Sequence, residues 1–215
     1  MTARTAIFAR IRHANGPDAQ ALDIEARAAA LVANPESIRA GFQDQSNLER
    51  FIEKATSERV TATIDQIPDM AAVPSAIAGY LKGAGLAQSI ALQPREQLTA
   101  LDWSSIETHN TPTPNEPVAV SIADLAVAES GSVVFRSAPD APVLMSFLPL
   151  HHIVIVPTHL IRRHLEDVFD HFGSGPENQP RNLNIVTGTS GTADIEAKNI
   201  RGAHGPRYMH LVLVG

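Results

Sequence analysis

The sequence predicts an α/β fold, with a mostly parallel sheet flanked by helices and an N-terminal helical arm. Strand-like and helix-like segments alternate from residue 60 onwards, which is typical of a parallel sheet. Apart from His152 and His210, the runs at 152–156 and 209–214 are apolar, as buried strands are, whereas residues 1–58 read as helical. We therefore predict two parts, a helical arm at 1–58 and an α/β domain at 59–215.

The arm has one strongly amphipathic segment. An apolar stripe at i, i+3, i+4, i+7 spacing runs through residues 47–55, formed by Leu48, Phe51, Ile52 and Ala55. Glu49 and Glu53 fall on the opposite, solvated side. This spacing favours a helix rather than a strand of the sheet.

The elements of the α/β domain follow from β-branched or apolar runs, helical stripes and turn residues. Strands are predicted at residues 60–64, 89–92, 118–128, 132–135, 152–156, 182–186 and 209–214. Helices are predicted at 68–82, 157–172 and 192–199. Gly131 can adopt positive φ and so predicts a hairpin, and three prolines in 111–117 predict a loop.

Composition excludes several classes of function. The net charge of −6, from 17 basic and 23 acidic residues, argues against nucleic-acid binding. The chain has no cysteine, so it holds no disulfide, no thiolate nucleophile and no Cys-ligated iron–sulfur cluster. Residues 1–10 lack the apolar core of a signal peptide, and the most apolar segment, 143–156, is too short to span a membrane. We expect a cytoplasmic protein.

Residues 187–206 hold the densest chemistry in the chain. Thr-Gly-Thr-Ser-Gly-Thr at 187–192 predicts a turn between a strand and a helix N-terminus, where free N–H groups bind a carboxylate, a phosphate or a pyrophosphate. We expect this turn at the carboxyl ends of the strands, where open α/β sheets bind ligands. Because Asp194 and Glu196 would repel an anion, a plain capped helix with Ser190 or Thr192 as N-cap is the alternative.

The candidate ligand-binding residues follow from these two bends. They are Thr187, Gly188, Thr189, Ser190, Gly191, Thr192, Asp194, Glu196, His204 and Gly205. His204, within Gly-Ala-His-Gly-Pro, is also a candidate general acid or base, although it can equally hydrogen-bond the neighbouring turn.

Glu129 and the remaining histidines complete the candidates. Glu129 precedes Ser-Gly at a hairpin tip and can act as a nucleophile toward acyl groups; the alternative is a solvated acid in a β-turn. The histidines show no metal-ligand spacing, since His164 and His171 lie about 10 Å apart along a helix. We expect no metal, with solvated helix histidines and one inward histidine at the start of the 152–156 strand.

The motifs resemble those of the LUD-domain family, of the lactate-utilization protein C type. The resemblance rests on residues 187–196 and 201–206 followed by the terminal apolar strand, with 122–132 and 148–157 matching in order. It covers residues 60–215 well. In the family a basic residue precedes Thr-Ala-Asp-Ile-Glu, whereas this chain has Gly191 there, which puts an acidic ligand copied from relatives in doubt.

The resemblance implies a sheet of the type shared by sugar-phosphate isomerases, glucosamine-phosphate deaminases and coenzyme A transferases. It also implies an iron–sulfur-free subunit of a bacterial system that oxidises L-lactate to pyruvate, with iron–sulfur clusters expected only in iron–sulfur and cysteine-rich partner subunits. The chain would bind a small carboxylate or nucleotide, and its arm would contact another subunit or a second copy. The alternatives are a stand-alone acyl or coenzyme A transferase-like enzyme that uses Glu129, and a non-catalytic scaffold.

Overall fold

The computed structural model describes residues 2–15, 24–34, 39–42, 44–173, 175, 179–193 and 199–215. The chain divides into two compact units, Met1–Gly41 and Phe42–Gly215. The first unit contains helices α1 (Ala3–Asn15) and α2 (Ile24–Ala33). The second unit contains the other described elements, including the amphipathic helix α3 (Asn47–Ala55), which the sequence places in the arm.

The second unit contains twelve described strands and three further helices. The strands are β1 (Thr63–Ile67), β2 (Ser89–Leu92), β3 (Glu107–His109), β4 (Val118–Ile122), β5 (Leu125–Val127), β6 (Ser132–Arg136), β7 (His151–Pro157), β8 (Ile161–Arg162), β9 (Leu183–Val186), β10 (Gly191–Ala193), β11 (Asn199–Arg201) and β12 (Tyr208–Val214). The helices are α4 (Val73–Gly83), α5 (Glu96–Thr99) and α6 (Glu166–Phe172).

A six-stranded, fully parallel sheet forms the centre of this unit, in the order β1-β12-β7-β4-β2-β3. Tyr208 pairs with His151, and His151 pairs with Val118, so the amino ends of β12, β7 and β4 lie in one row. The predicted fold class, a mostly parallel sheet flanked by helices, is confirmed. None of the helices among the described residues is long and apolar enough to cross a membrane.

The two faces of this sheet are covered by different elements. Helix α4 buries Ile77 and Leu81 against one face, in a cluster with Ile153 and Val212. The other face packs against α3, through Phe51, and against the second sheet described below. A capping box between Ser46 and Glu49 fixes the start of α3. Each fully buried aliphatic or aromatic side chain contributes about 1.5–3 kcal/mol.

The second sheet has four strands in the order β8-β5-β6-β9, and β5 and β6 form the hairpin that the sequence predicts. Gly131 lies in its turn with φ +70°, and a Cβ there would come within 2.5 Å of the Ala55 backbone nitrogen. Glycine is therefore needed at this position, because the turn packs directly on the end of α3.

Two helix predictions are wrong. Residues 191–193 and 199–201 form the antiparallel ribbon β10–β11, in which the β-branched Thr192 and Ile200 pair across the strands. In 157–172, only α6 is α-helical, because Ile161 and Arg162 pair with β5 and extend the four-stranded sheet. In both segments, strand pairing outweighs the local sequence signals for a helix.

Candidate functional site

The bends at 187–192 and 201–206, which the sequence singles out, lie against each other. The Ser190 N–H donates to the Pro206 carbonyl (2.9 Å), and the Gly202 N–H donates to the Ser190 carbonyl (3.0 Å). The His204 N–H lies 3.4 Å from Ser190 Oγ. These contacts join the two bends into one local structure.

This structure lies at the amino end of the parallel sheet, not at the carboxyl end as expected. The Thr189 N–H donates to the Val60 carbonyl (3.2 Å), just before β1, and the second bend leads into β12. The reason is that β9, which delivers the first bend, belongs to the four-stranded sheet. No helix starts there among the described residues, and the candidates Asp194 and Glu196 lie outside them.

Gly188 allows this close approach. Its φ is +76°, and a Cβ at this position would lie 2.0 Å from the Val60 carbonyl oxygen. Only a residue without a Cβ lets the bend pack so closely on the segment before β1.

A cavity of about 310 Å³, here called the amino-end cavity, opens beside the two bends. Hydroxyl, guanidinium and phenol groups lie beside apolar surface in its lining, which is formed by Thr61, Thr63, Thr189, Arg201, Arg207, Tyr80, Tyr208 and Met209. Of the candidate ligand-binding residues, Thr189 lines this cavity. His204 is exposed outside it, and the Thr187 hydroxyl instead bonds Ser132 Oγ at 2.6 Å.

Arginines and threonines form a connected cluster on one wall. Thr61 has φ +60°, rare for a β-branched residue, and its hydroxyl lies 2.8 Å from that of Thr189. Arg201 Nη1 donates to both hydroxyls, at 3.2 Å to Thr189. Neither Arg201 nor Arg207 has a carboxylate of the described residues within ion-pair distance. Their positive charge therefore favours an anionic ligand.

Tyr80, on α4, connects the cavity to two histidines. Its hydroxyl lies 2.9 Å from His151 Nδ1, and its ring stacks on His210 with centroids 4.4 Å apart. Burial lowers the pKa of His151, and burial together with the nearby Tyr208 raises the pKa of Tyr80. A neutral imidazole and a protonated phenol therefore face each other at neutral pH.

The same wall is held by further contacts. Tyr208 stacks on His151 at 4.4 Å, and His210 Nδ1 lies 2.8 Å from Thr63 Oγ1. Burial lowers the pKa of His210, and Asp65, 3.4 Å away, opposes that shift. No motif in the sequence singles out Tyr80, because only the tertiary fold brings α4, β7 and β12 together here.

Glu129 lies outside the amino-end cavity and is fully engaged. Its Oε2 is 2.8 Å from His164 Nδ1, and its Oε1 accepts a hydrogen bond from the Leu165 N–H (3.0 Å). The prediction of a solvated His164 is wrong: its side chain is buried on Phe42, because Glu129 binds it from the hairpin. These contacts give Glu129 a structural role between the hairpin and the segment before α6, and its use as a nucleophile stays a prediction.

The carboxyl end of the sheet has larger cavities of different character. One, of about 590 Å³, is lined by Arg95, Asp124, Arg136 and Asp140, and a neighbouring one of about 470 Å³ is mostly apolar. Asp124 is 6% exposed and accepts from Arg95 Nη2 (3.0 Å) and the Arg136 N–H (2.7 Å). These charges neutralise one another. No cluster of His, Asp and Glu among the described residues is suited to a metal ion.

Residues 115–214 match the LUD domain. Lactate utilization protein C of Exiguobacterium sp. is 32% identical over 100 residues, covering 45% of this chain and 44% of that protein. The protein of the same name from Bacillus subtilis is 34% identical over 100 residues, covering 45% and 42%. The chain spans about half the length of these curated relatives or less.

A crystal structure of a DUF162 family protein from Deinococcus radiodurans has the same fold. It is 18% identical, with a TM-score of 0.57 over 79% of this chain and 96% of that chain. The bends at 187–206 and the strands β4 to β12 lie within residues 115–214, the region that matches the LUD domain. These matches bear out the resemblance indicated by the motifs: residues 115–214 of this chain are similar to the LUD domain.

Proposed function

We propose that this chain functions in lactate utilization, as an iron–sulfur-free component that binds a small carboxylate in the amino-end cavity. The relatives named lactate utilization protein C support the process. The observation that carries the binding role is the pair Arg201 and Arg207, which face a cavity lined by hydroxyls and have no carboxylate partner among the described residues.

The lining suits a carboxylate of a few carbon atoms. A planar guanidinium can donate two parallel hydrogen bonds to a carboxylate, and the threonine hydroxyls add further donors. A volume of about 310 Å³ is at the small end of the range for ligand sites. L-lactate and pyruvate both fit this chemistry.

Relatives have a basic residue where this chain has Gly191, and this difference is compatible with an anionic ligand. Gly191 pairs with Arg201 across the β10–β11 ribbon, so a cation lies directly opposite the position where relatives have a basic residue. The arginine thus supplies positive charge from the neighbouring strand.

Electron transfer is proposed to use other subunits. Oxidation of lactate needs a cofactor that accepts electrons, and a chain without cysteine has no thiolate for a Cys-ligated iron–sulfur cluster. Partner subunits that carry iron–sulfur clusters would complete the reaction, and the helices of the first unit are the proposed contact surface.

Calorimetric titration of the purified chain with L-lactate tests the binding role. We expect Arg207→Gln to weaken binding by about tenfold or more, because a charge-assisted hydrogen bond is lost. The matched control is Arg136→Gln at the carboxyl end, which should leave the affinity within about twofold. Absence of binding to the wild-type chain, or an equal loss in both variants, would contradict the proposal.

Growth on L-lactate as sole carbon source tests whether this protein functions in lactate utilization. A strain that lacks the gene should fail to grow, and an Arg201→Gln, Arg207→Gln double variant should not restore growth. If the double variant restores growth on L-lactate and a variant that lacks residues 1–41 does not, a non-catalytic scaffold would be favoured instead. Normal growth of the deletion strain would refute a role in lactate use.

A further inference from the structure

We infer that the Tyr80–His151 pair makes the amino-end cavity select an α-hydroxy acid over the corresponding α-keto acid. The inference rests on the proposed function, since it concerns the ligand of the same cavity. L-lactate and pyruvate differ only at the α-carbon, which carries a hydroxyl in lactate and a carbonyl in pyruvate. The Tyr80 phenol is the group that would distinguish them.

The direction of one hydrogen bond carries the argument. The Tyr80 hydroxyl and His151 Nδ1 are 2.9 Å apart, and each is the other's hydrogen-bond partner among the described residues. Burial keeps the imidazole neutral and the phenol protonated. An imidazole nitrogen without a proton is a far better acceptor than a phenol oxygen, and a phenol O–H is a good donor, so we assign the phenol as donor and Nδ1 as acceptor, with the imidazole proton on Nε2.

This assignment leaves the phenol oxygen as an acceptor within the cavity lining. Its single proton is then used by His151, and Tyr80 lines the cavity together with Arg201 and Arg207, whose guanidinium groups offer only donors. A ligand hydroxyl can donate to the phenol oxygen, whereas a ketone oxygen would bring two acceptors together. The hydroxyl of lactate is therefore satisfied and the carbonyl of pyruvate is not.

The surrounding contacts keep the phenol in place. Tyr80 stacks on His210, which is hydrogen-bonded to Thr63, and Tyr208 stacks on His151. Rotation of the phenol toward the ligand would break its bond to His151. A site that is fixed before the ligand arrives discriminates better than one that adapts to either ligand.

The arginines exclude the other common donor at an α-carbon. An α-ammonium group could donate to Tyr80, but it would enter a cavity lined by Arg201 and Arg207 and by no carboxylate of the part of the chain that the structure describes. Like charges destabilise such a complex. The expected order of affinity is L-lactate, then propionate, then pyruvate, with L-alanine weakest.

The test is titration of L-lactate, propionate and pyruvate into wild type, Tyr80→Phe and Arg207→Gln. In wild type, lactate should bind about three- to tenfold more tightly than propionate, the value of one neutral hydrogen bond. Tyr80→Phe should remove that advantage and bring the lactate and pyruvate affinities together. Arg207→Gln should weaken all three acids by a similar factor and keep their ratios.

The outcomes separate this inference from the proposed function. Equal binding of the three acids to wild type, or an unchanged ratio in Tyr80→Phe, overturns the selection while carboxylate binding stands. Absence of binding by all three acids overturns both. The order of affinities for the three acids is measured in wild type and does not depend on a variant. Thermal unfolding of Tyr80→Phe shows whether a changed ratio of lactate to pyruvate affinity comes from a folded protein.

Discussion

The two ends of the parallel sheet both carry arginines beside a cavity, but they differ in how those charges are neutralised. At the carboxyl end, Arg95 and Arg136 share the buried carboxylate of Asp124. At the amino end, Arg201 bonds threonine hydroxyls, and Arg207 has no carboxylate partner among the described residues. The smaller cavity is therefore the one we propose as the anion site, because its arginines have no carboxylate partner among the described residues, whereas those beside the larger cavity do.

The proposed site departs from the rule that open α/β sheets bind ligands at the carboxyl ends of their strands. The bend after β9 contributes the Thr189 hydroxyl to the cavity at the opposite end, and β11 contributes the Arg201 guanidinium. The comparison can be broken by changing either end separately.

The largest expected effect is that of Gly188→Ala at the amino end. Positive φ costs a non-glycine residue about 1–2 kcal/mol, and the clash with the Val60 carbonyl adds about 2–3 kcal/mol. We expect the free energy of unfolding to fall by about 4 kcal/mol, with loss of lactate binding. Urea denaturation and titration measure the two effects.

Gly85→Ala is the matched control for backbone strain. Gly85 also has positive φ, +67°, but a Cβ there meets no atom within 4 Å. The expected loss is about 1–2 kcal/mol, with lactate binding retained. Equal losses in the two variants would show that the contact with Val60 does not determine the structure of the amino end.

Asp124→Ala changes the carboxyl end and comes next in size. Removing a buried carboxylate leaves Arg95 without its main partner, which should cost about 3 kcal/mol in the free energy of unfolding. Lactate affinity should stay within about twofold. Asp140→Ala, which removes an exposed carboxylate 3.9 Å from Arg95, should cost about 0.5 kcal/mol or less. Loss of lactate binding in a folded Asp124→Ala would move the ligand site to the carboxyl end.

The sequence predicts the sheet well because its strands carry a local signal. The apolar runs 152–156 and 209–214 pair side by side as β7 and β12, and the hairpin around Gly131 forms as its turn chemistry indicates. The segment after Thr192 is different. Its helical reading rested on residues that could begin a helix, and pairing with the 199–201 segment, a tertiary property, decides the outcome.

The site was predicted only in part for a similar reason. The bends at 187–192 and 201–206 are dense in glycine and hydroxyls, so they stand out in the sequence and do meet in the fold. Tyr80, His151 and His210 come from a helix and two strands, and no spacing in the sequence links them. A pair of aromatic and imidazole groups at the amino end is visible only once the strand order is known.

The last predicted effect is a pH dependence of stability, and it concerns two adjacent histidines of β7. His151 is hydrogen-bonded to Tyr80, which lines the amino-end cavity, whereas His152 lies in the core. His152 is 1% exposed, and burial lowers its pKa from 6.5 to about 4. Below pH 6.5 the unfolded chain binds a proton that the folded chain excludes, so the free energy of unfolding falls as the pH drops toward 4. Between pH 6.5 and about 5 this loss amounts to about 1.5 kcal/mol. Urea denaturation of wild type and His152→Gln at both pH values measures it, because His151 and His210 remain in the variant and cancel in the difference. If the free energy of unfolding falls equally in both proteins, His152 takes up its proton in the folded state. Water would then reach the core side of β7 more than its packing indicates.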